Sequence, residues 1–404
     1  MRILIVTAGS RGDVAPFTGL GRRLLEAGHQ VCVAAHLPFV DLVTGCGLDH
    51  RPLPGDPQEL IGAKARAASP AEAHAVTSAF LDRLADGVAA AVADGPDLVL
   101  TAFGPAALSR TAGEATGVPV IGTYLAPTFA TREFPLPGVA RADDLGPERN
   151  LTAGRALLAQ AGALQAGVLT RLRTRLALPA ADASPTGGGE IRRVFHGFSP
   201  LVVPRPTDWP SEVEVTGYWW PARPLGWRPP AELVDFLRAG PPPVFIGFGS
   251  MAPGQGERLG ELVKAAVTRA GVRAVVQAGW AGLSVVGDDV LAIGDVPHDW
   301  LFPRTAAVVH HAGAGTAAAG LRAGVPAVPV PVMADQPFWA ARLHRLGVAP
   351  QPLPFHDLTA EALGATVTAC MGDPAYRRRA AELAGHLAAE DGAAALLDHI
   401  GGAA

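Results

Sequence analysis

The feature that most limits what this chain can fold into is an alternation. Short runs rich in Ile, Val and Leu are separated by longer stretches of helical character. Residues 2–7 (Arg-Ile-Leu-Ile-Val-Thr) are the first run, and a Gly-Ser-Arg-Gly-Asp loop follows at 9–13. Pro16 then opens a helix, since proline is tolerated in a first turn. Phe17, Leu20, Leu24 and Ala27 step by three and four and give it one apolar face, and Gly28 stops it. Residues 30–35 resume as strand. Strand, loop, helix and strand in that order begin a parallel βαβ sheet. Similar strand runs recur at 97–101, 118–122, from Pro243, and at 273–277, 289–293, 305–310 and 327–332.

Eight prolines fall between Ser199 and Pro230. That density excludes a long helix or a central strand and marks an interdomain linker. The organisation read from the sequence is therefore an N-terminal α/β lobe over 1–205, a linker over 206–230, a C-terminal α/β lobe over 231–385 and a helical end over 386–404. With 404 residues, of which 49% are hydrophobic, there is material for two sizeable cores. A net charge of −4 argues against a nucleic-acid-binding face. The three cysteines, Cys32, Cys46 and Cys370, are too widely spaced for a disulfide framework or a zinc site. The first apolar run is too short for a membrane span or a signal-peptide core, so a cytoplasmic protein without stable membrane insertion is expected. Lys occurs only at 64 and 264, and the remaining basic residues are Arg. With the abundance of Ala, Gly and Pro, this suggests a GC-rich coding sequence, a compositional bias that carries no chemistry.

The segment His310-His311-Ala312-Gly313-Ala314-Gly315-Thr316, between a strand and a helix, carries the clearest chemistry. Glycines there let backbone N–H groups approach an anion, the helix N-terminus adds positive potential, and Thr316 adds a hydroxyl. A tight turn with capping residues accounts for the same glycines. No Lys follows, so this is not a Walker A loop, and the Gly-x-Gly-x-x-Gly spacing of dinucleotide folds is absent. Gly-x-Ser-x-Gly, His-Glu-x-x-His, Cys-x-x-Cys and Asp-x-Asp are absent as well.

Taken with Arg322-Ala-Gly-Val-Pro326 and Asp335-Gln336-Pro337, this segment resembles the donor-binding signature of the UDP-glycosyltransferase-like family. The bacterial antibiotic, macrolide and sterol glycosyltransferases are its nearest members. Gly247-Phe-Gly-Ser-Met251 resembles the loop facing the diphosphate, and Asp295-Val-Pro-His-Asp-Trp-Leu-Phe302 the base-binding segment. Thr216-Gly-Tyr-Trp219 resembles the linker of sterol-type members, and Gly9-Ser-Arg-Gly-Asp13-Val their N-terminal loop. The resemblance implies a GT-B fold: two facing Rossmann-like parallel-sheet lobes with a cleft between them. The last helix would cross back onto the N-terminal lobe.

It also implies roles. His311, Gly313, Gly315, Thr316 and Ser250 would hold the donor diphosphate, with His310 structural. Asp335 and Gln336 would hold sugar hydroxyls, although Asp335 is also placed to cap the helix before Pro337. Val296 would pair its backbone with the base, alongside His298. Many plant relatives carry a stacking Trp where this chain has Asp295, so Trp280 is the stacking candidate and Trp300 the second. Asp13 would be the general base, with capping of the first helix as its alternative role. Plant-type relatives use a His in this loop, and this chain has none. Phe80, Phe103, Tyr124, Phe129 and Phe134 would bind the acceptor, although they could equally be core, and Arg11 would stay structural, help bind the acceptor or close the cleft.

The expected activity is inverting, metal-independent hexosyl transfer. A hexose or deoxyhexose would move from a UDP- or dTDP-sugar to a hydroxyl of a hydrophobic natural product of polyketide, macrolide, sterol or terpenoid type. No cofactor, metal or nucleic acid is implied, and the chain would be a monomer or homodimer. A non-catalytic auxiliary partner, a nucleotide-sugar epimerase or hydrolase, and a nicotinamide oxidoreductase are the alternatives.

Overall fold

The computed structural model describes all residues except 140–143, 181–192, 250, 252–253, 281, 284, 286 and 403–404. Among the described residues the strands form two parallel sheets, one of seven strands and one of five. The N-terminal lobe runs β1 (Arg2–Val6), α1 (Arg11–Glu26), β2 (Gln30–His36), α2 (Val40–Thr44), β3 (Asp49–Leu53), α3 (Pro57–Arg66), α4 (Pro70–Ala93), β4 (Leu98–Thr101), α5 (Ala106–Thr116), β5 (Val120–Tyr124), α6 (Pro147–Arg175), β6 (Val194–His196) and β7 (Val213–Val215). Its sheet order is β3-β2-β1-β4-β5-β6-β7.

The second lobe continues with α7 (Ala231–Arg238), β8 (Val244–Gly247), α8 (Gly256–Ala270), β9 (Ala274–Gln277), β10 (Val290–Ile293), α9 (His298–Leu301), β11 (Ala307–His310), α10 (Ala314–Ala323), β12 (Ala327–Pro329) and α11 (Gln336–Arg345). It ends in α12 (Ala360–Gly372), α13 (Pro374–Leu387) and α14 (Ala394–Gly402). Its sheet order is β10-β9-β8-β11-β12.

Each sheet is buried on both faces, as parallel sheets require. Ile3, Phe17, Leu24 and Val33 pack one face of the first sheet, and Leu4, Val6, Phe80 and Val99 the other. Ala393, Leu396 and Ile400 join the first of these clusters, so the chain returns from the second lobe to place α14 on the first. The Trp219 indole N–H donates to the Gly392 carbonyl at 2.8 Å and ties the two interlobe crossings together. A further cluster draws on both lobes: Tyr124, Phe134, Phe198 and Trp209 from the first, and Ala312, Leu321, Phe338 and Trp339 from the second.

The structure departs from the sequence expectations in three places. Helix α1 begins at Arg11, so Pro16 lies within it, where it removes the N–H that would bond to the Gly12 carbonyl. β3 reads Asp-His-Arg-Pro-Leu, with no apolar run to announce it, and sits at the edge where Pro52 costs least. β7 lies inside the proline-rich stretch. It too is an edge strand, three residues long, between Pro210 and Pro221.

Candidate active site

In an open parallel sheet, ligands bind outside the carboxyl ends of the strands, where the strand order reverses. The reversal falls between β1 and β4 in the first sheet and between β8 and β11 in the second. The chain leaves β1 into the turn carrying Asp13, β8 into Gly249, and β11 into His311. The two switch points face one cleft. The charge of Asp335, in the second lobe, acts on Asp13 in the first, and Arg11 Nη1 lies 3.2 Å from Asp295 Oδ2.

Asp13 sits in the first turn of α1 rather than in the loop before it. Its Oδ2 accepts from the Ser10 backbone N–H at 2.7 Å and from Ser10 Oγ at 3.0 Å. Ser10 and Asp13 thus stand in capping-box spacing, and the helix-capping role is real. Gly9 has φ +138°, and a Cβ there would run into the Asp13 carboxylate, so only glycine admits it. Among the described residues no donor reaches Oδ1. Burial raises the Asp13 pKa from 3.8 to about 6, against the pull of the Ser10 hydrogen bonds, and the Asp335 charge adds to the rise. One oxygen therefore fixes the side chain, and the other is a half-buried acceptor that titrates just below neutrality.

Across the cleft, Gly313 is the N-cap of α10, with φ −63° and ψ 145° and no side chain capping it. The first-turn N–H groups of Ala314, Gly315 and Thr316 are thereby left for an anion. The His311 ring fills the space that a Cβ on Gly249 or Gly313 would take; from Gly249 that atom would lie 2.7 Å from its Cε1. Burial lowers the His311 pKa to about 4, so at neutral pH the ring is an uncharged donor. Its Nδ1 is buried with no partner among the described residues.

His310 is structural. It is wholly buried with its pKa lowered to about 3, and its Nδ1 accepts the Ala312 N–H at 3.0 Å. That bond holds Ala312 at φ +60°, a left-handed conformation that favours glycine. Ser250 lies outside the described residues.

Asp335 precedes α11. Its Oδ2 accepts the Trp339 indole N–H at 2.8 Å, which leaves one oxygen for a ligand. Gln336 Oε1 accepts the N–H groups of Val332 and Met333 at 2.8 and 3.0 Å, which leaves its amide NH2 as a donor. The pair offers the cleft one acceptor and one donor.

Val296 is buried, and its backbone N–H and C=O enter no described backbone hydrogen bond. His298 stacks on Phe302 with centroids 4.3 Å apart. Burial first, then the Arg11 charge, lowers its pKa to about 4. Trp280 donates its backbone N–H to Gly249 and packs against the apolar cluster of the opposite lobe. Trp300 instead meets Trp227 edge-on under the Arg304 guanidinium.

A family model described as the C-terminal domain of erythromycin biosynthesis protein CIII-like proteins matches residues 265–399. The O-mycaminosyltylonolide 6-deoxyallosyltransferase of Streptomyces fradiae is 39% identical over 97% of this chain and 95% of its own. The chain belongs to the UDP-glycosyltransferase-like family. A sterol 3-beta-glucosyltransferase of Arabidopsis thaliana is 33% identical over 98% of this chain and 64% of its own. A Streptomyces glycosyltransferase solved with thymidine diphosphate has a TM-score of 0.65 at 23% identity, over 99% of each chain. The calicheamicin glycosyltransferase CalG4 has a TM-score of 0.71 at 19% identity, over 100% of this chain and 98% of its own. Those two likenesses are of fold, and the fold is GT-B.

On the acceptor side of this glycosyltransferase, the structure separates the expected residues. Phe103 is 48% exposed at the carboxyl end of the first sheet and meets Tyr124 edge-on at 5.4 Å. Phe129 is partly buried beside His196 and Trp209. Tyr124 is buried, with its hydroxyl 3.4 Å from Arg110. Phe80 is buried in the core: it packs on His36 at the end of β2, and a Cβ on Gly55, just after β3, would meet its ring. Phe134 is also buried, between Trp209 and the second lobe's Phe338, where it joins the lobes. Arg11 pairs with Asp295 across the cleft.

The sequence reading missed Ser10 and Trp339, which hold the two carboxylates. Ser-x-x-Asp spacing would have found the first. The second is a contact one helical turn along α11.

No helix among the described residues is long and apolar enough to cross a membrane.

Proposed function

We propose that this glycosyltransferase transfers a hexose or deoxyhexose, with inversion and without a metal, from a UDP- or dTDP-sugar to a hydroxyl of a hydrophobic macrolide-, polyketide- or sterol-type acceptor. The observation that carries the reading is Asp13, which keeps one carboxylate oxygen free of described partners and whose pKa is raised to about 6 by burial, with the charge of Asp335 in the opposite lobe adding to the rise. The acceptor hydroxyl oxygen forms a bond to the anomeric carbon while the bond from that carbon to the diphosphate oxygen breaks. Asp13 takes the hydroxyl proton. A carboxylate titrating just below the working pH suits that task. The departing negative charge meets the α10 N–H groups, the Thr316 hydroxyl and the neutral His311 ring. The acceptor class rests on relatives named for a macrolide and for sterols, and on exposed Phe103.

Thermal unfolding with UDP, dTDP or NAD tests the donor half. A ligand at about a hundred times its dissociation constant stabilises the native state by about 2.7 kcal/mol. UDP or dTDP should raise the midpoint, and His311→Ala should remove most of the rise. A shift with NAD alone would overturn the reading.

A further inference from the structure

We propose that Arg11 is a positioning residue that docks the catalytic turn of the first lobe onto the nucleobase-binding segment of the second. Arg11 opens α1, directly after Ser10 and two residues before Asp13. Its Nη1 lies 3.2 Å from Asp295 Oδ2. The other oxygen of Asp295 accepts from Gln277 Nε2, at the end of β9, at 3.1 Å. Asp295 is therefore gripped by its own lobe on one side and by the catalytic turn on the other, immediately before Val296. A second ion pair reaches the same segment: Arg223 Nη2, from the interlobe connection, lies 2.6 Å from Asp299 Oδ2. Segment 295–299 is thus held at both ends by arginines from outside its own sheet.

This inference rests on the donor reading above, and adds what that reading lacks, a link between the two lobes. A base lying along Val296 fixes the segment carrying Asp295. Asp295 fixes Arg11, and Arg11 fixes the turn in which Ser10 holds the Asp13 carboxylate. Arg11 and Asp295 are 47% and 62% exposed, so the pair is weak enough to open and close as donor enters and leaves. Its importance is geometric, because a displacement of about 1 Å in a reacting group can cost on the order of a hundredfold in rate.

Hydrogen exchange with UDP and dTDP tests the coupling without turnover. In the wild type, nucleotide should slow exchange at 311–316 and 294–298 and also at 8–14 in the opposite lobe. In Arg11→Gln or Asp295→Asn, protection at 311–316 should remain and protection at 8–14 should vanish. Protection at 8–14 that persists in either variant overturns the proposal, as does its absence from a wild type protected at 294–298. No protection anywhere in the wild type would instead sink the donor reading. In turnover, each single variant should lower kcat about tenfold with donor KM changed less than about threefold, and the double variant should be no worse than the singles. Additive losses, or a rise in donor KM alone, would contradict a positioning role.

Discussion

Replacing Asp13 by Asn should stabilise the protein while removing its activity. Burial and the Asp335 charge hold the Asp13 pKa near 6 in the folded chain, against 3.8 as the ordinary value. That difference corresponds to about 3 kcal/mol against the charged form, and water at its partly exposed face trims it to about 2 kcal/mol. The folded value is the higher one, so ionisation costs stability. The cost is full above about pH 7, shrinks as pH falls through 6, and is gone below the unfolded value near 4. Asn keeps an oxygen for the Ser10 N–H but accepts more weakly, a loss of about 1 kcal/mol. The net gain at pH 7.5 is therefore about 1 kcal/mol, or roughly 2–4 °C in midpoint for domains of this size. The assay is thermal unfolding of both proteins between pH 4 and 8. A variant less stable than wild type at pH 7.5, or a difference that does not change with pH, would refute the reasoning.

Three further outcomes follow from the same geometry. Asp335→Asn removes the like charge that acts on Asp13, so the acidic limb of the kcat/KM profile, near pH 6 in the wild type, should move to lower pH; an unmoved limb counts against the cross-cleft interaction. His310→Leu leaves the buried Ala312 N–H without an acceptor and should destabilise by about 1–3 kcal/mol in denaturant unfolding, whereas His311→Ala should act mainly on nucleotide binding. Turnover should survive EDTA, because helix dipole, hydroxyl and imidazole are assigned the leaving charge; loss restored by a divalent ion would reverse that assignment.

The two-lobed α/β fold was legible because the central strands β1, β4, β8 and β11 are continuous apolar runs buried on both faces. The edges were not. β3 and β7 owe their strand form to a neighbour's ladder, and their polar or proline-flanked sequences carry no period of their own. At the site, the motifs' resemblance to the family pointed to His311, Asp335 and Asp13, and each sits at the end of a strand or the start of a helix, where local sequence decides geometry. What spacing could not supply is tertiary: Trp339 holding Asp335, Asp295 reaching Arg11, and the burial that turns Phe80 into core and Phe134 into a contact between lobes. Asp13 combines both kinds of information. Its capping bond is local, whereas its raised pKa comes first from burial, with a smaller push from the charge of Asp335 more than three hundred positions away.

The most direct test of the central claim is the rate of nucleoside diphosphate release from UDP-glucose and dTDP-glucose, with and without a macrolide aglycone or a sterol. It should be measured for the wild type and for Asp13→Asn at pH 7.5. The account predicts release that depends on acceptor in the wild type and falls at least about a hundredfold in the variant. Equal release by a folded Asp13→Asn protein would contradict it.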